Sequence, residues 1–507
     1  MYLKKLKKFL CRRAVIISII VIFELLFLFA MLLFCCKIQP VIGITLRIVT
    51  IVAAFYLIFK SDNPAYKIAW LMLMLILPEL GGAAYLLGGN KRLPKRLKRR
   101  LADFNKNQNQ KTNSGVEIEI ALKHPRFYPI SLYLKRCTGF CAWQNTKCEF
   151  FPTGKLFFDS LCNNLNDAKS FIFLEYFIIS NGKLWQKIKE ILVNKLQNGV
   201  AVFIMYDDMG CIDSVGKSFF STLKSAGAKI AVFNRCRPKL NPAMNYRNHR
   251  KTCVIDGNIG YCGGANIADE YINHLPRCGH WKDSGIMLRG DGVWNLTLLF
   301  LSLWDFSQNI KTELSRFVPT ESCISDGFVQ PFGDTPLDSI CACESVCMMA
   351  AAKAERFIYI TTPYLILDHE MIRTLSTAAL SGTDVRIITP AVPDKWYVHA
   401  VSRSFYAELI SCGVKIFEYS PGFVHSKQLI CDDIFAMVGT ANMDFRSFYL
   451  HFESAVCLFG SSSISDIKRD FLQMLECSRE ISFEDTKNFP LLQRMTAFFL
   501  RPFSPLF

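Results

Sequence analysis

Acidic side chains are missing from two stretches of this 507-residue chain, and both stretches are strongly basic. Residues 1–13 carry Lys4, Lys5, Lys7, Lys8, Arg12 and Arg13; residues 90–100 carry Lys91, Arg92, Lys95, Arg96, Lys98, Arg99 and Arg100. Taking these thirteen charges from the formal +16 leaves only +3 for everything else. A nucleic-acid-binding face needs its excess on the folded domain, so a nucleic-acid partner is not expected. The basic runs instead flank apolar segments, where anionic lipid attracts each Lys or Arg by roughly 1 kcal/mol. Paired Cys-x-x-Cys knuckles are also missing. Without them Cys137/Cys141/Cys148 and Cys341/Cys343/Cys347 read as small hydrophobes rather than a zinc site. The twenty cysteines, Cys253, Cys262 and Cys431 among them, read as free thiols of a reducing compartment rather than a disulfide framework. No small-residue cleavage site follows the first apolar segment, so a removed signal peptide is not expected.

Three long apolar segments are present. Residues 14–36 contain one charge, Glu24, and residues 38–59 contain Arg47. Each is long enough for a ~30 Å hydrocarbon core. Residues 68–87 are interrupted by Pro78-Glu79 and Gly81-Gly82. Placing both basic runs on the cytoplasmic side requires an even number of crossings. The third segment is therefore expected to be re-entrant or interfacial. This predicts a membrane region over 1–89, a basic linker over 90–125 and a cytoplasmic catalytic part in a multi-pass protein of the bacterial cell membrane.

Beyond the linker the chain repeats itself. His249-Arg250-Lys251, four residues, Asp256, six residues and Gly263-Gly264-Ala265-Asn266 are matched by His425-Ser426-Lys427, Asp432 and Gly439-Thr440-Ala441-Asn442 at the same spacing. Upstream, Leu223 to Asn234 answers Leu409 to Ser420, and Lys169 to Ile179 answers Glu355 to Leu365. Short Val/Ile/Phe runs alternate with helical stretches such as 184–198 and 369–380. Each half reads as strand, helix, strand, helix, strand and a final His-Lys strand. An internally duplicated α/β unit follows, with repeats over 126–320 and 321–485 and a tail over 486–507.

Residues i and i+2 of a strand share a face, so His249 projects with Lys251 and His425 with Lys427. Asp256 and Asp432 belong to the same catalytic signature but fall at the strand end, where Asp256-Gly257 marks a hairpin turn; their part is to brace. Asn266 and Asn442 follow small residues and are candidates to point an amide at a phosphate. One neutral imidazole of the pair can attack phosphorus while the protonated other supplies a proton. A covalent phosphohistidine divides one hard displacement into two easier ones. Two Lys and two Asn offset the developing negative charge, so neither a metal nor a cofactor is called for. Each imidazole needs a carboxylate behind it: Glu453 is the candidate in the second half, for His425, and Asp283 in the first, for His249.

The motifs FLEYFII, GVAVFIMYDDMG, YRNHRKTCVIDGNIGYCGGANIADEY, FVHSKQLICDD, VGTANMDFRSFYLHFE and RPFSPLF, after NPAYKIAWLMLMLILPELGGAAYLLGG, resemble bacterial cardiolipin synthases of the phospholipase D superfamily over essentially the whole chain. The resemblance implies two pseudo-symmetric α/β/α repeats packed into one catalytic unit, preceded by transmembrane helices. It implies that two phosphatidylglycerol molecules are joined into cardiolipin with release of glycerol, His249 acting as nucleophile and His425 as acid and base. Exchanging one phosphodiester for another needs no ATP or CTP. The departures are Cys253 and Cys431 in place of aliphatic residues, and Gly264 where the second copy has Thr440. Arg247, Arg250 and Arg446 are open to headgroup or structural roles. Phospholipase D or phosphatidylserine synthase chemistry uses the same His-Lys-Asn set with another acceptor. A membrane-tethered nuclease is disfavoured by the small residual charge, and a non-catalytic scaffold by the intact motifs. Oligomeric state is not legible here.

Overall fold

The computed structural model describes residues 13–38, 40–89, 114–216, 218–237, 242–338 and 340–506. The two basic runs, Arg13 apart, lie outside the described residues. The chain forms two compact units, one of Met1–Pro94, Asn234–Asn245 and Phe498–Phe507, the other of Lys95–Phe233 and Tyr246–Ala497.

In the first unit a helix over Arg13–Ile38 is followed by one over Pro40–Phe59. The second has 20 residues, a mean hydropathy of 2.3 and 17 % burial, and among the described residues it alone is long and apolar enough to cross a membrane. In the first helix the described apolar stretch, Ile17–Phe27, is shorter. The third apolar segment breaks as its Pro and Gly residues dictate. Its 13-residue helix Pro64–Ile76 reaches about 20 Å at 1.5 Å per residue, less than a bilayer core. It stops before Pro78, because proline disfavours helical geometry in the residue ahead of it. A short turn over Gly81–Ala84 and a π turn over Tyr85–Gly89 then fold back. A Cβ on Gly81 would stand 2.5 Å from Met74 Cα, so only glycine lets this turn lie against the helix.

The second unit holds the repeats. Its strands are β1 Thr146–Phe151, β2 Phe171–Tyr176, β3 Ala201–Asp207, β4 Lys229–Phe233, β5 Arg247–Asn248, β6 Thr252–Ile255, β7 Ile259–Gly263, β8 His280–Lys282 and β9 Gly285–Gly290. The second repeat adds β10 Phe328–Asp334, β11 Phe357–Thr361, β12 Asp384–Pro390, β13 Lys415–Tyr419, β14 Gly422–Val424, β15 Gln428–Cys431, β16 Phe435–Gly439, β17 His451–Phe459 and β18 Ser478–Ile481. One sheet runs β1-β9-β7-β6-β2-β3-β4 and the other β10-β17-β16-β15-β11-β12-β13, extended by β18. Strand for strand the orders match, with β2-β3-β4 and β11-β12-β13 parallel and the other neighbours along these two paths antiparallel. The duplication expected from the sequence is thus a duplication of topology.

Amphipathic helices Lys183–Gln197 and His369–Leu380 each bury one stripe, as their 3.6-residue periodicity requires. Helix Val293–Gln308 differs. Thirteen consecutive residues from Val293 to Asp305 are buried, because WNLTLLFLSLW is mostly apolar, its Asn295, Thr297 and Ser302 are hydrogen-bonded to backbone carbonyls, and the helix packs on strands of both sheets. The seventeen cysteines from Cys137 to Cys477 are free thiols.

Candidate active site

The two His-x-Lys segments sit on extended connections between short strands rather than inside the long hairpins. His249 to Lys251 link β5 to β6, and His425 to Lys427 link β14 to β15. The short strands explain the placement, because neither pairs within its own repeat. Arg247 and Asn248 of β5 lie in parallel register with His451 and Phe452 of β17. Gly422, Phe423 and Val424 of β14 lie likewise against His280, Trp281 and Lys282 of β8. His249 N then donates to Phe452 O at 2.9 Å, and His425 N to Lys282 O at 2.7 Å. Each motif is thereby clipped to the opposite half, one residue before that half's carboxylate.

The consequence corrects the sequence-based pairing of carboxylates. Glu453 does not hold His425, nor does Asp283 hold His249. His249 Nδ1 lies 2.9 and 3.0 Å from the two oxygens of Glu453, and His425 Nδ1 lies 2.7 Å from Asp283 Oδ2. Each imidazole is braced by the other repeat. With Nδ1 donating to a carboxylate, Nε2 is left as the basic nitrogen of each ring. Both carboxylates are fully buried. Glu453 Oε2 also accepts from Thr440 Oγ1 at 2.5 Å, while Asp283 Oδ1 accepts from Ser284 N at 2.8 Å.

Burial governs the electrostatics. It drives both imidazoles well below their ordinary pKa, against the pull of Glu453 in the case of His249. Lys251 is pushed down to about 7 by burial, helped by the charge of Lys427 and opposed by Glu453. Lys427 is pushed down to about 8, burial again prevailing over Asp283 and Glu453. Burial raises Asp283 to about 7 in spite of Lys427. For Glu453 burial is outweighed by His249 and His451, and the carboxylate is held well below the usual range. Lys251 and Lys427, from different repeats, feel each other and the same two acids. The halves therefore converge on one site. Lys251 Nζ donates to His249 O at 2.5 Å; Lys427 Nζ donates to His425 O and stands 2.9 Å from its Nδ1.

Other expected residues take different places. Asp256 accepts from the backbone N of Lys169, Ser170 and Phe171 at 2.7–2.9 Å. Asp432 accepts from Glu355, Arg356 and Phe357 at 2.8–2.9 Å. These two acids brace the far ends of the hairpins and do not hold the imidazoles. The amides expected to meet phosphate are already engaged. Asn266 Nδ2 donates to Tyr271 Oη at 2.8 Å, and Asn442 Nδ2 to Asp444 at 3.1 Å. Arg250 is structural, donating to the carbonyls of Glu453 and Leu299 at 3.2 and 2.9 Å.

Several side chains around the site carried no sequence signal. Phe177 sets its ring edge-on to His249 at 5.1 Å, and Lys251 Nζ lies 5.5 Å above that ring. Tyr271 and Trp281 stand 5.4 and 5.7 Å from the His425 ring. Only the repeat alignment of Lys169 to Ile179 with Glu355 to Leu365 pointed near Phe177.

A family model described as cardiolipin synthase, PLD-like domain matches residues 161–275 and 348–475. One described as phospholipase D-nuclease N-terminal matches residues 48–90. The chain is 36 % identical to cardiolipin synthase 2 of Bacillus cereus, covering 88 % of each chain. It is 34 % identical to cardiolipin synthase of Halalkalibacterium halodurans, covering 91 % of this chain and 93 % of that one. An uncharacterised Streptococcus mutans protein is 42 % identical over 71 % of this chain and 78 % of its own length. The fold is similar to phosphatidylserine synthase of Haemophilus influenzae, with a TM-score of 0.56 at 13 % identity, over 74 % of this chain and 97 % of that one. Two matched half-sites in two matched sheets, together with these relatives, place the chain in the cardiolipin synthase family of phosphatidyltransferase enzymes, with paired phospholipase D-like domains.

Proposed function

We propose that the protein joins two phosphatidylglycerol molecules into cardiolipin and releases glycerol. The observation that carries this reading is the crossed bracing of two imidazoles by Glu453 and Asp283 beside two buried lysines. His249 Nε2 attacks the phosphorus of the first lipid. The P–O bond to its terminal glycerol breaks, and the leaving oxygen takes a proton from His425. A free glycerol hydroxyl of the second lipid returns that proton to His425 as it attacks the phosphatidyl-His249 linkage. Cardiolipin leaves and both imidazoles are restored. Lys251 and Lys427 offset the charge on the equatorial phosphate oxygens. His249 and His451 hold Glu453 ionised where burial raises Asp283, so the His249 side has the more firmly ionised carboxylate, which suits the ring that becomes cationic when phosphorylated. Helix Pro40–Phe59 and the basic runs suit a multi-pass membrane protein over 1–89 with its catalytic repeats, 126–320 and 321–485, in the cytoplasm.

The test is reconstitution into vesicles of phosphatidylglycerol. Cardiolipin and free glycerol are expected in equal amounts, and phosphatidic acid as sole product would overturn the reading. His249→Ala and His425→Ala should each reduce turnover by about 10³-fold or more, as loss of one member of a cooperating set does.

A further inference from the structure

The two half-sites are built alike except beside their imidazoles. His451 pairs in register with Arg247, two residues before His249. Its counterpart, Trp281, pairs with Phe423, two residues before His425. The same position thus holds an imidazole in one half and an indole in the other. His451 is 7 % exposed. Its ring centre lies 5.2 Å from that of His249, tilted by 41°. Its Nδ1 is 3.6 Å from Glu453 Oε1, the oxygen that stands 2.9 Å from His249 Nδ1. Among the described residues neither ring nitrogen of His451 has a hydrogen-bond partner. Trp281 performs the packing role at this position without a titratable group. A buried imidazole aimed at an occupied carboxylate points to a different task.

We propose that His451 is a positioning residue of the His249 half-site, sharing Glu453 with His249 and thereby setting how tightly that ring keeps its proton. The proposal rests on the phosphatidyl-transfer reading above. Two imidazoles on one carboxylate titrate as a pair, so a proton on one weakens binding of a proton by the other. Burial lowers the pKa of His249 most, Glu453 opposes it, and the charges of Lys251 and then His451 add to the lowering. Arg446 and Asp444 face His451 from the adjoining segment, and Arg247 adjoins it on β5. This arrangement keeps His249 neutral to a lower pH than it would be with Glu453 to itself.

Full-length His451→Asn and His451→Phe enzymes in phosphatidylglycerol vesicles test this through kcat and KM across pH 5–9. Removing the second imidazole leaves Glu453 wholly to His249, whose pKa then rises. The acid limb of kcat/KM is expected to move up by about half a pH unit or more in both variants, roughly a threefold loss on that limb. KM at neutral pH should stay close to that of the parent enzyme. An acid limb that stays in place in the folded Asn variant overturns the proposal, whether the rate is unchanged or lowered by one factor at every pH. The conservative Asn variant keeps the test decisive if the Phe variant fails to fold. His249→Ala is measured alongside: turnover surviving in that variant would overturn the nucleophile assignment itself, a distinct failure.

Discussion

Thr440 and Gly264 occupy equivalent motif positions, yet one donates a hydroxyl to Glu453 and the other lies directly against Asp283. Thr440→Val should therefore leave the substrate site intact and lower kcat by about 10-fold or more, since partners behind a reacting imidazole typically matter at that level; an unchanged kcat would show that the hydroxyl does not orient the carboxylate. Glu453→Gln and Asp283→Asn go further, because an amide cannot fix the imidazole tautomer. Each is expected to reduce kcat by about 10²–10⁴-fold with the fold retained, as read from steady-state rates and melting curves. The lysines set a pH limit. Burial lowers Lys251 to about 7 and Lys427 to about 8, so both lose charge as pH rises through that range in the free enzyme. kcat/KM should fall above about pH 8, whereas a plateau to pH 10 would show that these charges are not needed. His249, Lys251, His425 and Lys427 were legible at this scale because identical spacing occurred twice. His451 and Thr440 were not, since an isolated imidazole or hydroxyl has no meaning until its neighbours are known.

Hairpins carry the motifs, and their turns explain the motif aspartates. Asp256 and Gly257 have φ of 53° and 71°, and Asp432 and Asp433 have φ of 52° and 59°, left-handed values that Asp tolerates through local hydrogen bonding. Asp256→Ala removes the acceptor for three backbone N–H groups. It should cost about 2–3 kcal/mol of stability, seen as a lower melting temperature, while kcat per folded molecule changes by less than about twofold. A large loss of kcat with no loss of stability would return Asp256 to the chemistry. Strand parity put these residues at the strand end, and the structure agrees. Parity erred in extending the strand back through the His-x-Lys segment, because β5 and β14 find their partners in the opposite repeat. Helices 183–197 and 369–380 were legible from one-sided apolar periodicity. The sheet-edge strands β1 and β10 were not, since their pairing with β9 and β17 spans more than a hundred residues.

Crossed bracing ties the repeats into one catalytic body at the scale of the whole molecule. Either repeat alone lacks the carboxylate for its own histidine, so a chain cut between them at residue 320 should yield two inactive halves, with turnover only where the halves reassociate. The helix long and apolar enough to cross a membrane, Pro40–Phe59, lies in the other unit. Deleting residues 1–60 should move the protein from the membrane to the soluble fraction in flotation through a sucrose gradient, and unchanged flotation would place the attachment elsewhere. The sequence by itself determined the reaction class, the duplication and the location of the basic charge, because each is carried by residue identity at fixed spacing. Only the tertiary structure decided which carboxylate serves which histidine. That choice depends on β5 and β14 pairing across the repeats, and the hydrogen bonds that impose it join residues 142 and 204 positions apart. Local periodicity has no reach over such separations. The same packing made the half-sites unequal, setting His451 beside one imidazole and Trp281 beside the other.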